Sequence, residues 1–152
     1  MSPCERSARE KDKAMSILKV GQKKTYRIQK DAMTEFGYDL KFAMKGGYWL
    51  DDQYLVWFPN LVNSETDQFQ SLFGDVLKDN GKTMVEIAPD DKRLERILRD
   101  TSTLRITFAR FKGYDYEFKG VFKYDEVDMA CRKVFYKRIA EALDTSKWQR
   151  RK

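Results

Sequence analysis

The stretch LRITFARFKGYDYEFKGVFKY, residues 104–124, decides the fold of this chain because its apolar and polar residues alternate on both sides of one turn. Alternation with a period of two is typical of a β-strand that has one buried face. The connection at Lys112 and Gly113 is typical of a hairpin. The residues predicted to share one face of the second strand are Tyr114, Tyr116, Phe118, Gly120, Phe122 and Tyr124. We therefore predict an antiparallel hairpin with an aromatic face at the centre of a twisted sheet.

Length and composition predict one folded domain. The chain has 152 residues, of which 41% are hydrophobic and 14% aromatic, and this is enough to form a core without cross-links. We place the domain at residues 14–144, between a disordered basic tail at 1–13 and a basic C-terminal tail at 145–152. No apolar run is long enough to cross a bilayer, and the first residues lack the apolar segment of a signal peptide. We predict a cytoplasmic protein without membrane contact.

The composition also excludes several chemistries. The chain has no histidine and only two cysteines, Cys4 and Cys131. Acid–base catalysis by histidine is therefore excluded, and neither a zinc site nor a disulfide framework is expected. We predict no cofactor and no metal.

Periodicity outside the hairpin predicts further strands and helices. Residues 54–58 and 83–87 have the composition of strands, and residues 66–79 carry apolar side chains at helical spacing. Residues 134–139 lie on a helical apolar stripe but are also good strand material, and periodicity favours a helix. Residues 140–143 are expected to be helical in either case.

Two short helices are predicted from their end signals. Asp31 is expected to cap one that ends at Gly37, and Asp90 is expected to cap another. The chain is therefore predicted to be α+β, with five or six mostly antiparallel strands and two or three covering helices.

Charge favours a polyanionic partner. Lysine and arginine total 30 against 24 acidic residues, which gives a net charge of +6. Much of this excess lies in the two tails, and a solvated tail is the alternative interpretation.

Aromatic residues are interleaved with cations in the pattern that holds a nucleotide, since rings stack on a base while cations bind phosphate. The candidate nucleic-acid-binding residues are Lys45, Gly46, Gly47, Tyr48, Trp49, Trp57, Arg110, Lys112 and Tyr114. The Gly46–Gly47 pair would allow the close approach of a ligand or of another backbone. The alternatives are that most of these rings fill the core and that the glycine pair is an ordinary turn.

A pattern found in Mg²⁺-dependent nucleases is also present, with Asp90 after a proline and with Glu117 and Lys119 two residues apart. Such a site needs two carboxylates that converge on the metal. Asp90 is equally a helix cap, and Glu117 with Lys119 is equally a charge pair on a solvated face. Catalysis is therefore only a weak alternative for this chain.

Seven short motifs occur in an order that resembles a known family. They are LKVGQ (18–22), EFG (35–37), MKGGYW (44–49), LVWF (55–58), LRITFAR (104–110), YEFKGVFKYD (116–125) and VFYKRI (134–139). This order resembles the small PUA-like domains attached to restriction nucleases, which are similar to the SRA and EVE modules that read modified bases.

The resemblance implies a twisted, partly closed β-barrel whose concave aromatic pocket receives a base flipped from the duplex. It also implies that residues 134–139 form a strand. The implied reading residues are Gly46, Gly47, Tyr48 and Trp49, with Trp57 behind them and Arg110 or Lys112 at the hairpin rim.

These observations favour a nucleic-acid-binding module that reads a modified or flipped base in DNA, in a restriction or defence system and with a nuclease or another protein as partner. The first alternative is a protein-interaction module with an aromatic hot spot. The second alternative is the Mg²⁺-dependent nuclease.

Overall fold

The computed structural model of the protein describes residues 16–38, 47–71 and 74–149. The strands of these residues are β1 (Ile17–Lys19), β2 (Gly47–Trp49), β3 (Tyr54–Trp57), β4 (Asn60–Leu61), β5 (Val76–Lys78), β6 (Thr83–Ile87), β7 (Leu104–Phe111), β8 (Glu117–Asp128), β9 (Lys133–Ala140) and β10 (Ala142–Asp144). The helices are α1 (Gln29–Met33), α2 (Glu65–Ser71), α3 (Asp91–Arg99) and α4 (Ser146–Gln149), and a 3₁₀ turn, Thr34–Phe36, follows α1. The α+β class is confirmed, although both strands and helices are more numerous than predicted. No helix in these ranges is long and apolar enough to span a membrane.

The main sheet is mostly antiparallel. Its strands follow the order β2-β3-β7-β8-β9-β6-β5, and β4 pairs with β7 beside this path. The pairs of β7 with β3 and with β4 are parallel, and the other pairs are antiparallel. β1 and β10 form a separate antiparallel pair. Within the described ranges β2 and β5 do not pair with each other, so the sheet is open at both ends.

The predicted hairpin is confirmed as β7 and β8. A bulge shifts their register next to Thr107, which lies opposite Gly120. Gly120 has a φ of 114°, and an added Cβ would lie 2.5 Å from Cδ of Arg138 and 2.7 Å from the carbonyl oxygen of Ala140. Glycine is therefore required where β9 passes close to the bend of β8.

Both faces of the sheet are buried, each in its own cluster. The first cluster includes Val56, Phe58, Ile106, Phe108 and Phe118 with Ala32, Met33 and Trp148 from the adjoining helices. The second cluster includes Trp57, Met84, Ala109, Phe122, Val134 and Tyr136 with Leu94 and Ile97 of α3. Alternation in the hairpin predicts one buried face, but in β7 Arg105, Thr107 and Ala109 on the second face are buried as well.

The helix predicted after residue 127 is wrong. Residues 134–139 lie in β9, which hydrogen-bonds to β6 on one side and β8 on the other, and residues 142–144 form β10. The strand implied by the family resemblance is therefore confirmed. Val134 and Tyr136 are buried on one face of β9, which is the period of a strand and not of a helix.

Other predicted elements are confirmed in part. The helix predicted for residues 66–79 ends at Ser71, and Val76 already belongs to β5. α1 begins after Ile28, so Asp31 lies inside the helix and does not cap it. Gly37 ends the following 3₁₀ turn with a φ of 80°, as predicted.

The strand predicted at residues 83–87 is confirmed as β6, and the Asp90 cap is confirmed as well. The Asp90 carboxylate accepts a hydrogen bond of 2.8 Å from the backbone N–H of Arg93.

α4 lies in the segment that was assigned to the C-terminal tail. Trp148 is 2% exposed, and its indole N–H donates a 3.0 Å hydrogen bond to Oδ2 of Asp51. Its ring packs on Phe36 and Tyr54. Trp148, which follows position 144, is therefore part of the first core cluster. The predicted domain boundaries themselves remain a prediction.

Candidate functional site

Gly47 lies in β2, opposite Trp57 of β3. Gly47 itself is a strand residue, and the alternative of a turn at the glycine pair stays untested because Gly46 lies outside the described residues. A Cβ at Gly47 would lie 3.0 Å from Cδ1 of Leu55 and 3.1 Å from the carbonyl oxygen of Val56, so the neighbouring strand approaches this residue closely. Lys45 and Gly46, two further predicted site residues, lie outside the described residues.

The turn between β2 and β3 is built around Asp51. Its carboxylate accepts hydrogen bonds from the backbone N–H groups of Gln53 at 2.9 Å and Tyr54 at 2.7 Å. Burial by itself would raise the pKa of Asp51, but the hydrogen bonds from Trp148, Tyr54 and Gln53 together with Lys147 lower it below its ordinary value. The turn that orients Trp49 is thus held by a charged group.

A cavity of about 360 Å³ opens beside Gly47, between the β2–β3 pair, α3 and the first residues of β7. Its lining residues are Gly47, Trp49, Leu55, Trp57, Arg93, Arg96, Ile97, Asp100, Thr103 and Arg105. Gly47 and Trp49 are two positions apart in β2, and the same is true of Leu55 and Trp57 in β3, so these residues share one face of the sheet. Residues on this one face of the β2–β3 pair therefore form one wall of the cavity.

Two tryptophans line the cavity and differ in exposure. Trp49 is 52% exposed, whereas Trp57 is 5% exposed. The ring of Trp57 lies 5.1 Å from that of Tyr136 and 4.8 Å from the Arg105 guanidinium. Trp57 is therefore part of the fixed wall, and Trp49 is the indole that is open to a ligand.

Three arginines and one carboxylate, Asp100, lie in the lining of the cavity, which therefore has an excess of positive charge. Arg93 and Arg96 come from α3 at a spacing that places them on the same side of the helix, and Arg105 comes from β7. Sequence reasoning missed all three, because arginines on one side of a short helix, or alternating with apolar residues in a strand, are typical of a solvated surface. The helical spacing of Arg93 and Arg96 was the one available signal.

Acidic groups lie behind this wall. Nη2 of Arg93 is 3.5 Å from Oε2 of Glu86, and the Tyr136 hydroxyl donates a 2.7 Å hydrogen bond to Oε1 of Glu86. Burial raises the pKa of Asp75 well above its ordinary value, and Glu86 raises it further, while Arg105 and Arg93 lower it. Burial and then Glu86 likewise raise the pKa of the Tyr136 hydroxyl. Interior acids therefore interact with Arg93 and Arg105 and offset part of their positive charge.

Other predicted site residues lie elsewhere. Tyr48 points to the opposite face of the sheet, where its ring is 5.9 Å from that of Phe58 and its hydroxyl donates to Oε1 of Gln29 at 3.3 Å. The Arg110 guanidinium lies 4.3 Å from the ring centroid of Tyr116. Neither residue lines the cavity beside Gly47.

Lys112 and Tyr114 line a second, shallower cleft at the hairpin tip. This cleft has a volume of about 740 Å³ and also includes Leu61, Val62, Asn63, Asp67 and Phe111. Because the two cavities flank opposite ends of β7, they are about 20 Å apart along the strand. The predicted nucleic-acid-binding residues that line a cavity are therefore divided between the cavity beside Gly47 and the cleft at the hairpin tip.

The three residues of the nuclease pattern do not converge. Lys119 forms an ion pair of 3.5 Å with Glu117, at the start of β8, and Asp90 caps α3. β6, which precedes Asp90, aligns through β9 with the other end of β8. Asp90 and Glu117 are thus separated by about 30 Å along the strand. In the described part of the chain no three potential metal-ligating residues cluster.

An open, mostly antiparallel sheet that holds an aromatic and arginine-lined cavity between its edge and one helix defines a small α+β binding domain. Residues 15–145 match the SET and RING associated (SRA) domain family, and the chain belongs to this family. The SRA part of the predicted resemblance is therefore confirmed.

The fold is also similar to that of a solved structure, the 5-hydroxymethylcytosine-specific restriction enzyme AbaSI. The TM-score is 0.69 and the sequence identity is 20%. The similarity covers 89% of this chain but 44% of the restriction enzyme chain, so this protein spans less than half of that enzyme. No curated protein sequence matches this chain.

Proposed function

We propose that this protein is a DNA-binding module that reads a modified base, and that the base, extruded from the duplex, enters the cavity beside Gly47. Membership of the SRA family supports this proposal. So does the similarity of the fold to a restriction enzyme that is specific for 5-hydroxymethylcytosine, which makes a modified cytosine the first ligand to test.

The observation that carries the proposal is the composition and size of the cavity. Its volume of about 360 Å³ lies in the range of roughly 300 to 1,000 Å³ that is common for small-molecule sites. The exposed indole of Trp49 offers a stacking surface for a base, and Arg96 lies exposed at the rim where a phosphate would pass. Stacking and pocket shape would supply selectivity, while the cations would supply affinity that decreases with salt.

The test is a binding titration by fluorescence anisotropy. Two duplexes of the same sequence would carry either cytosine or 5-hydroxymethylcytosine at one central position, and each would be titrated at several salt concentrations. We expect tighter binding to the modified duplex and an affinity that falls as salt rises. Equal affinity for the two duplexes, or no salt-sensitive binding to either, would overturn the proposal.

The wider context is part of the same proposal. The solved structure with a similar fold is a restriction enzyme, and the similarity covers 44% of its chain. We therefore propose that this module gives sequence or modification specificity to a restriction system and acts with a nuclease as partner. The cytoplasmic location and the rolling of the twisted sheet into a partly closed barrel also belong to this proposal.

A protein-interaction surface is the second candidate, and it is favoured by the hairpin tip. Tyr114 is 72% exposed and Phe111 is 41% exposed, side by side at the second cleft. Exposed aromatic pairs of this kind are typical of interface hot spots. A protein partner that binds the purified chain in the absence of DNA, and that is lost in Tyr114→Ala, would favour this candidate.

A further inference from the structure

Arg105 is a buried cation that interacts electrostatically with the interior acid Asp75. It lies in the middle of the sheet, where it pairs with Leu55 of β3 and Phe122 of β8, and it is 6% exposed. A charged side chain at such a position is costly unless it has a partner. The Arg105 charge interacts with Asp75, but among the described residues no carboxylate forms a direct ion pair with the Arg105 guanidinium and no oxygen accepts a hydrogen bond from it.

Two aromatic rings fix the position of this guanidinium. Its Cζ atom lies 4.8 Å from the ring centroid of Trp57 and 4.6 Å from that of Tyr136. Cation–π contacts stabilise the charge but leave the N–H donors unused. Since Arg105 also lines the cavity beside Gly47, a ligand in this cavity would contact the Arg105 side chain and could use these donors.

The guanidinium presents its donors as a planar fork, which matches two neighbouring acceptors on one ligand edge. An extruded base is read on its Watson–Crick edge. On that edge cytosine carries the adjacent acceptors N3 and O2, thymine and uracil place an N–H between two carbonyl groups, and guanine presents N–H donors. A fork of donors at the floor of the cavity is therefore complementary to cytosine.

Two arginines that line the cavity differ in burial, and this difference distinguishes base recognition from phosphate binding. Arg96 also lines the cavity but is exposed, and is free to follow a backbone phosphate. Arg105 lies beneath the surface, where the base enters first and the phosphate stays outside.

We propose that Arg105 donates to N3 and O2 of an extruded cytosine and so selects the 4-amino base over uracil, without itself reading the 5-substituent. This inference rests on the proposed function, and it adds the residue that distinguishes a modified cytosine from a uracil with the same modification.

The test uses three duplexes that differ at one position, which holds 5-hydroxymethylcytosine, 5-hydroxymethyluracil or cytosine. Each base is placed opposite an abasic site, so that its extrusion breaks no base pair. The wild-type protein is expected to prefer 5-hydroxymethylcytosine over 5-hydroxymethyluracil by on the order of tenfold to a hundredfold, the range for one bidentate contact.

In Arg105→Met this ratio should fall close to one, while the unbranched side chain can keep its contact with the rings of Trp57 and Tyr136. Arg105→Lys keeps the charge but not the fork and should reduce the ratio several-fold, which provides a second variant if the methionine variant does not fold. Thermal unfolding would verify that each variant is folded. The matched control is Arg96→Gln, which should weaken binding to all three duplexes alike and reduce the slope of log affinity against log salt by about one.

Two results would overturn the inference. One is an unchanged ratio in folded Arg105 variants. The other is a uniform loss of affinity with a reduced salt slope, because this would identify Arg105 as a phosphate contact. A wild-type protein that fails to distinguish 5-hydroxymethylcytosine from cytosine would instead count against the proposed function itself.

Discussion

Replacing each cavity tryptophan with alanine should have two different effects, although sequence reasoning predicts the same effect for both. From the sequence, Trp49→Ala and Trp57→Ala are both expected to weaken binding without unfolding the domain. The exposures of the two side chains, 52% and 5%, separate them.

For Trp49→Ala the expected loss is one of affinity. About half of this side chain is already in solvent, so its removal should change the free energy of unfolding by no more than about 1 kcal/mol. A base that stacks on an aromatic ring gains about 1 to 3 kcal/mol. The Kd for a modified duplex should therefore rise by about 5- to 150-fold.

For Trp57→Ala the expected loss is one of stability. Truncating a buried tryptophan costs about 3 to 5 kcal/mol, which is a large share of the roughly 5 to 15 kcal/mol that stabilises a typical domain. The substitution also removes the ring that lies 4.8 Å from the Arg105 guanidinium. Any weaker binding by this variant would report a damaged fold as well as a lost contact.

The assay combines urea unfolding, followed by tryptophan fluorescence, with anisotropy titration of the 5-hydroxymethylcytosine duplex. We expect a nearly unchanged unfolding midpoint and weak binding for Trp49→Ala, and a strongly lowered midpoint for Trp57→Ala. The reasoning would be refuted if Trp49→Ala bound the modified duplex as tightly as the wild type, or if Trp57→Ala unfolded at the wild-type midpoint.

The remaining predictions concern the glycine in the bend of β8 and the turn that orients Trp49. Gly120→Ala should lower the free energy of unfolding by about 3 to 5 kcal/mol, because the positive φ and the overlap of the new Cβ with β9 both destabilise the fold. Gly113→Ala is the control, since Gly113 has a φ of 88° but no atom within 4 Å of an added Cβ. It should lower the free energy of unfolding by only about 1 kcal/mol in the same urea experiment. Equal costs would show that the overlap at Gly120 is relieved. Asp51 has a pKa below its ordinary value of 3.8, so its ionised form stabilises the fold above that pH and this contribution disappears as the pH falls through the lower folded value. The difference in unfolding free energy between the wild type and Asp51→Ala should therefore shrink as the pH falls below 3.8, and a difference that does not depend on pH would contradict the role given to the charge.

Local patterns were sufficient for much of the fold. The hairpin, the strand at residues 83–87 and the helix capped by Asp90 were predicted correctly, because each depends on alternation, helical spacing or an end signal within a few residues. The order of seven motifs also identified the family, which the match over residues 15–145 confirmed. Backbone hydrogen bonding and side-chain periodicity act over short distances along the chain, so a single sequence carries this information.

Residues 134–143 depended on tertiary structure. Their apolar residues fit a helical stripe and a strand, and the strand forms because β6 and β8 leave a place between them where β9 hydrogen-bonds on both edges. The seven-residue α2 shows the same limit, since Val76 continues the helical stripe but pairs with Val85 in the sheet. Long-range pairing decides between two local structures of similar propensity.

The sequence by itself determined that this chain is an α+β domain of the SRA family with glycine, aromatic rings and cations near residues 47–57. Only the tertiary structure decided which of them form one site. It brought Trp49 together with Arg105 and with the arginines of α3, and it placed Tyr114 about 20 Å away at the hairpin tip. The physical reason is that the cavity forms between elements that are distant in sequence. Side-chain periodicity within one strand or helix does not indicate which face of another element it will pack against.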